Sequence, residues 1–195
     1  VEIKTQLLIL KSQKGDADAL NLLIQGAYPS IYQLSFRYFG NHDIASEITQ
    51  QTMIQIYQQI QTLKDVNAWE SWFYKIAINF CHQESKKQKN SKVISIHHQT
   101  EVQGFSQNDI RSNPSKKLES QEITQMIQKA IQKLPEEQRL VLIMKEYQGM
   151  KFREIAESLE ISENTAKSRL YYALKALKKT LNDWNIHQEI LNYVI

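Results

Sequence analysis

The sequence predicts an all-α protein made of two small helical domains joined by a flexible linker. Three observations carry that prediction. Apolar residues recur at spacings of three and four over most of the chain, which places them on one face of a 3.6-residue helix. That periodicity fades from Gln88 to Ser120, where Gln, Asn, Ser, His and Lys dominate and Gly104 and Pro114 intervene. A segment of about thirty residues is too long for a loop inside one compact domain and reads as a linker. Glycine and proline number only 5 and 3, so their positions punctuate the helices. The resulting division is a first domain over 1–88, a linker over 89–118, a second domain over 119–182 and a tail over 183–195.

In chain order, residues 2–14 make a short amphipathic helix (Ile3, Leu7, Leu8, Leu10) that Gly15 stops, and Asp16 is placed to cap the next one. There Leu20, Leu23, Ala27, Ile31, Leu34 and Tyr38 form the buried stripe. Gly26 and Pro29 lie inside that run and predict a kink or break. Gly40 ends the helix and Asn41-His42-Asp43 begins a third, with Ala45, Ile48, Thr52, Ile56 and Ile60 inward. Its outer face carries Glu47, Gln50, Gln51, Gln55, Gln58 and Gln59, which suits either a solvated surface or a docking face that loses water cheaply. Leu63 to Ser71 is a polar connection. It feeds an aromatic helix from about Trp69 to Lys87, with Trp69, Trp72, Phe73, Ile76, Ala77 and Phe80 inward. Beside that stripe Lys75, Asn79, His82 and Lys86 share a face that Lys87, Lys89 and Lys92 extend. The strip reads as a nucleic-acid contact or as a solvated charged face.

The second domain begins near Glu119 with Ile123, Ile127, Ala130, Ile131 and Leu134 on one face. Pro135-Glu136-Glu137 starts another helix, its acids suited to the positive helix end. Past Gly149, Phe152, Ile155, Ala156 and Leu159 give a short helix, Glu160-Ile161-Ser162 a turn with Ser162 as N-cap, and then a longer helix follows. That last helix buries Ala166, Leu170, Ala173, Leu174 and Leu177 and turns Asn164, Lys167, Ser168, Arg169, Tyr171, Tyr172 and Lys175 outward. From Glu163 to Lys179 it carries five cations and one anion, a net +4. A short helix, a tight turn and a basic second helix make a helix-turn-helix, which lays that second helix in the DNA major groove. After Lys179 the tail has more apolar residues, Trp184, Ile190, Leu191, Val194 and Ile195, than a disordered end should.

Whole-chain properties narrow the class. The net charge is only +3, so basicity is local, as in a protein with a DNA face and other faces for protein partners. Cys81 is the sole cysteine, which excludes a disulfide framework and fits a reducing cytosol. Cys81 and His82 are adjacent and diverge by about 100° on a helix, and His97-His98 lie far off, so no metal site is expected. No run approaches the ~20 apolar residues of a membrane span, and the N-terminal block is too short for a signal peptide. There is no phosphate-cradling glycine loop and no arguable nucleophile–base pair. The expectation is a cytoplasmic non-enzyme without a cofactor.

Four motifs, in order, resemble the extracytoplasmic function (ECF) group of sigma factors over about residues 2–180. Ser46-Glu47-Ile48-Thr49-Gln50-Gln51-Thr52-Met53 is similar to the family's core-binding motif, and Trp72-Phe73-Tyr74-Lys75-Ile76-Ala77-Ile78-Asn79 to the signature of its −10-reading helix. Leu134-Pro135-Glu136-Glu137-Gln138-Arg139 resembles the opening of its second domain, and Ile155-Ala156 with Thr165-Ala166-Lys167-Ser168-Arg169-Leu170 its −35-reading helix-turn-helix. The resemblance implies core polymerase contact through Glu47, Gln50 and Gln51. It implies −10 contact through Lys75, Asn79, His82, Lys86 and Lys87, with the Leu63–Ser71 loop holding a flipped base. It implies −35 contact through Asn164, Lys167, Ser168, Arg169, Tyr171, Tyr172 and Lys175. Core RNA polymerase and promoter DNA are then the partners, and an anti-sigma factor is left open. The departures, one in the core-binding motif and the rest in the DNA-reading ones, mean that promoter preference is not carried over from relatives. Gln51 stands for an acid, Ile78 for an arginine, Glu160 and Asn164 for glycines of the helix-turn-helix, and Tyr172 for an arginine. The alternative is a stand-alone helix-turn-helix regulator, which would not need a second basic strip in its N-terminal half.

Overall fold

A computed structural model of the protein describes residues 2–92 and 114–184, with the side chains of 91–92 and 114–121 left aside. Among the described residues every regular element is helical. The first domain holds α1 (Ile3–Gln13), α2 (Ala17–Phe39), α3 (His42–Gln59) and α4 (Trp69–Lys92), with short 3₁₀ turns at Ile60–Thr62 and Val66–Ala68 before α4. The second holds α5 (Pro114–Gln132), α6 (Glu136–Leu142), a π-helical turn (Ile143–Tyr147), α7 (Phe152–Leu159) and α8 (Glu163–Asp183).

The helix ends follow the local chemistry. Asp16 Oδ1 accepts from the Ala19 N–H at 3.0 Å and Asn41 Oδ1 from Ile44 at 3.0 Å, each satisfying a first-turn donor. Gly40 closes α2 in the left-handed conformation (φ 66°), its N–H donating to Phe36 O. The positive φ favours glycine there, and a Cβ would also push aside the end of the Gln132 side chain, whose Nε2 lies 1.7 Å from where it would sit.

The expected break in α2 is absent, since the helix runs through Pro29 from Ala17 to Phe39. A proline inside a helix costs about 3 kcal/mol. The buried stripe of Leu20, Leu23, Ala27, Ile31, Leu34 and Tyr38 spans both sides of it and offsets that loss. Helices also reach further into the linker than the sequence predicts, α4 to Lys92 and α5 from Pro114. Residues 93–113 of the linker and the tail from 185 onward lie outside the described residues. Trp184, the last one described, packs on the core with Lys133 Nζ 4.6 Å from its ring centroid. Leu174, assigned to the buried stripe of α8, is exposed, and Leu181 one turn past Leu177 is buried instead. The actual stripe, Ala166, Ala173, Leu177 and Leu181, keeps to one side of the helix, and Leu174 lies at its edge.

The two domains are packed against each other, and this the sequence does not announce. Gln128 donates to the carbonyls of Arg37 (2.7 Å) and Phe36 (3.3 Å) at the end of α2. Arg139 donates through Nη1 to Tyr38 O (3.0 Å) and through Nη2 to Gln132 O and Leu134 O at the end of α5. One guanidinium thus satisfies terminal carbonyls of two helices, a task its rigid fork suits. The Arg37 guanidinium sits 3.6 Å from the centroid of the Tyr147 ring. Burial lowers the pKa of both arginines without discharging them. Burial raises the Tyr38 hydroxyl to about 12, so it stays a neutral donor.

Candidate nucleic-acid interfaces

The outer face of α8 is built by the turn before it. Ser162 Oγ accepts from the Thr165 N–H at 3.0 Å, which fixes the entry of the helix, and Ala166, Ala173 and Leu177 dock its inner side. Asn164, Lys167, Ser168, Tyr171, Tyr172 and Lys175 are then all exposed, as their spacing predicts. The two tyrosine rings meet edge to face with their centroids 5.5 Å apart. Arg169 lies elsewhere. Its side chain is 23% exposed and its Nη2 pairs with Glu137 Oε2 of α6 at 2.5 Å, an acid outside the helix-turn-helix. The preceding turn passes through Glu160 at φ 54°, ψ 44°, the left-handed conformation where glycine is easiest.

On α4 the proposed strip is divided. Asn79, Lys86 and Lys87 are exposed and His82 is partly buried. Lys87 pairs with Glu84 at 3.4 Å. Lys75 is half-buried, and its Nζ meets Glu160 Oε1 of the helix-turn-helix turn at 2.5 Å. The Lys75 ammonium, by hydrogen bond and by charge, holds the Glu160 carboxyl below its usual range. One turn earlier Ser158 donates to Ser71 O at 3.2 Å and Ser71 Oγ faces Glu157 Oε2 at 3.4 Å. Tyr74 donates to Gln148 Oε1 at 2.8 Å. The aromatic stripe is inward as expected, but Tyr74, Ile78 and Cys81 are buried as well, because α4 has α3 on one side and α7 on another. The loop before α4 is tied down by Asp65 Oδ1, which accepts from the Asn67 N–H at 2.9 Å, and by Gln6, which donates to Asn67 Oδ1 at 2.8 Å.

The third surface is the outer face of α3. Glu47 and Gln50 are exposed, and Gln51 donates to Glu47 Oε1 at 3.2 Å. Two residues that the sequence reading passed over, Ile54 and Tyr57, stand on the same face and are 51% and 64% exposed. Their spacing of seven and ten from Glu47, off the buried stripe, is the signal that could have found them. Among the described residues no group of three or more His, Cys, Asp or Glu is placed to hold a metal ion, and no helix is long and apolar enough to cross a membrane.

Comparison with known proteins accounts for both domains. Residues 23–91 match the family Sigma-70 region 2, and residues 124–177 match Sigma-70, region 4. The chain belongs to the sigma-70 family, in its ECF group. Similar sigma factors include the ECF RNA polymerase sigma-E factor of Escherichia coli K12, 27% identical over 180 residues that cover 90% of this chain and 93% of that one. The sigma-E factor of Haemophilus influenzae is 23% identical over 184 residues, 92% and 96% of the two chains. Among solved structures, the sigma factor RpoE in complex with the anti-sigma factor NepR from Bartonella quintana matches with a TM-score of 0.67 at 19% identity, over 87% of this chain and 98% of that one. CnrH in complex with the cytosolic domain of CnrY matches with a TM-score of 0.66 at 15% identity, over 92% and 98%. These structural likenesses carry the all-α fold of the sigma factor.

Proposed function

We infer that the protein is an RNA polymerase sigma factor that binds core polymerase, directs it to promoters with −10 and −35 elements and assists DNA opening. The observation that carries this is the presence of both region 2 and region 4 in order, each on its own helical domain with its own polar outward helix. A stand-alone regulator needs only the second, and no observation favours that alternative. Sigma factors regulate rather than catalyse, and the work proposed needs no nucleotide hydrolysis: an unstacked base needs a pocket and its strand needs cations.

Within that function, Lys167, Ser168, Tyr171 and Tyr172 are proposed to read the −35 element, with Asn164 and Lys175 on flanking backbone. Their common exposure on α8 supports this. Arg169 is proposed to act beside them after exchanging Glu137 for DNA. Lys75, Asn79, His82, Lys86 and Lys87 are proposed for the −10 strand. Glu47, Gln50 and Gln51 are proposed to dock on core polymerase, with Ile54 and Tyr57 as the apolar centre of that face; exposed aromatic and aliphatic residues rimmed by amides suit an interface core. The cytoplasm is the proposed location, and an anti-sigma factor the proposed regulator. The deciding experiment is run-off transcription with core enzyme on a randomised promoter library. Discrete −10 and −35 preferences are expected. Tight sequence-specific gel shifts by the chain alone, with no effect on core enzyme, would instead support the regulator.

A further inference from the structure

We propose that the centre of the −35 surface reads methyl groups: Tyr171 and Tyr172 take the C5-methyls of neighbouring thymines in the major groove, so the protein selects −35 elements with adjacent A·T pairs there. The proposal rests on the sigma-factor reading and names the bases that α8 prefers.

The starting point is an apolar concentration in a basic place. Among the described residues of the second domain, the exposed large apolar side chains are Met126, Tyr171, Tyr172 and Leu174, and three of these four stand on α8. That helix also gathers five cations between Glu163 and Lys179. Tyr171 is 63% and Tyr172 56% exposed, and neither holds α8 in place, since the helix docks through Ala166, Ala173, Leu177 and Leu181. Two rings left in water side by side suit a surface that loses its water on binding. Charge decides the kind of partner. Lys167 and Lys175 stand four residues before and after Tyr171, in line with it along the helix. Apolar rings set in a row of cations complement a duplex, whose major groove offers methyl groups between two anionic backbones. An apolar protein surface would instead strip water from those ammonium groups and give them no partner.

Among the bases, the rings favour thymine. In the major groove thymine alone presents a methyl group, while guanine, adenine and cytosine present donors and acceptors. The guanidinium fork that suits guanine occurs once on α8, at Arg169, which pairs with Glu137 of α6 and lies about 200° round the helix from Tyr171. Ser168, one turn before Tyr172, bonds to either kind of pair and adds no preference. The ring centroids are 5.5 Å apart, between one and two base steps of about 3.4 Å, so the two rings meet neighbouring base pairs.

The test uses holoenzyme reconstituted from the full-length chain and core polymerase. It transcribes a library randomised in the −35 element, and the selected templates are rebuilt with deoxyuridine for thymine in that element alone. The exchange removes the methyl and leaves every hydrogen-bonding group. For the wild type, the library should yield adjacent thymines, and each methyl removed at them should lower run-off about fourfold, the worth of burying one CH2. At the same positions 5-methylcytosine should outdo cytosine. Tyr171→Ala and Tyr172→Ala should each bring the thymine-to-deoxyuridine ratio at one position close to one. Tyr172→Phe should keep the ratio, and Lys178→Ala should lower both templates alike. A library without adjacent thymines, a wild-type ratio of one, or a ratio that survives both alanine variants would overturn methyl reading. A wild-type ratio of one with transcription still lost in the alanine variants would assign the rings to a protein partner instead. Those results all presuppose transcripts from the wild type, whereas a complete absence of transcripts would overturn the sigma reading itself and the proposal with it.

Discussion

Helices α4 and α8 carry similar chemistry in different surroundings. Both turn cations, amides and hydroxyls outward from an apolar stripe. On α4, Lys75, Lys87 and Lys89 are each met by an acid, Glu160, Glu84 and Glu136, and two of those acids belong to the other domain. On α8, among the described residues, Arg169 is the cation drawn into an ion pair, while Lys167, Lys175, Lys178 and Lys179 face solvent. The difference comes from position in the fold. A helix at a domain seam has several neighbours and gives up much of its circumference to them. A helix that ends a helix-turn-helix buries one side only. An outward polar face is therefore no guarantee of an available one.

The contrast is tested most severely by truncation. Phe73→Ala on α4 is expected to cost about 3–5 kcal/mol, because the ring is buried between packed helices. Tyr172→Ala on α8 should stay within about 0.5 kcal/mol, because the ring is exposed. Urea unfolding monitored by circular dichroism measures both, and comparable losses would dissolve the distinction. Arg139→Ala comes next. It removes the donors for Tyr38, Gln132 and Leu134 carbonyls and should cost about 1.5–3 kcal/mol. Arg139→Lys should recover only part of that, since an ammonium cannot span the three acceptors.

Smaller effects separate reading from positioning. Alanine at Lys167, Ser168 or Tyr171 should re-rank −35 variants in run-off transcription by about 1–3 kcal/mol at single positions. Alanine at Lys175 and Lys178 should lower every promoter together and flatten the salt dependence. Identical behaviour of the two sets across the library would mean that α8 does not read sequence in this way. On α3, Glu47→Lys with Gln50→Ala and Gln51→Ala should weaken competition for core polymerase while each site changes stability by no more than about 0.5 kcal/mol. Undiminished competition by a folded triple variant would place the docking face elsewhere.

The smallest expected effect is on pH. Lys75 depresses the Glu160 carboxyl, so the pair contributes above the ordinary carboxylate range and is lost as pH falls through the depressed value. The melting difference between wild type and Glu160→Gln should be level near neutrality, shrink as pH falls below the ordinary carboxylate value and vanish below the depressed one. A difference that grows in acid would contradict the pairing.

The amino-acid sequence by itself determined the helices, their caps and the order of the two domains. Those features depend on near neighbours: Asp16 and Asn41 cap within three residues, and stripes such as Ala45, Ile48, Thr52 and Ile56 repeat every turn. The outward residues of α8 were legible for the same reason. Tertiary structure alone decided that α2 runs through Pro29, that Leu174 is exposed, that Arg169 pairs with Glu137 and that Lys75 meets Glu160. The two ion pairs depend on partners distant in the sequence, 32 residues away for Arg169 and 85 for Lys75, and periodicity along one helix carries no information about which surface another helix brings to it.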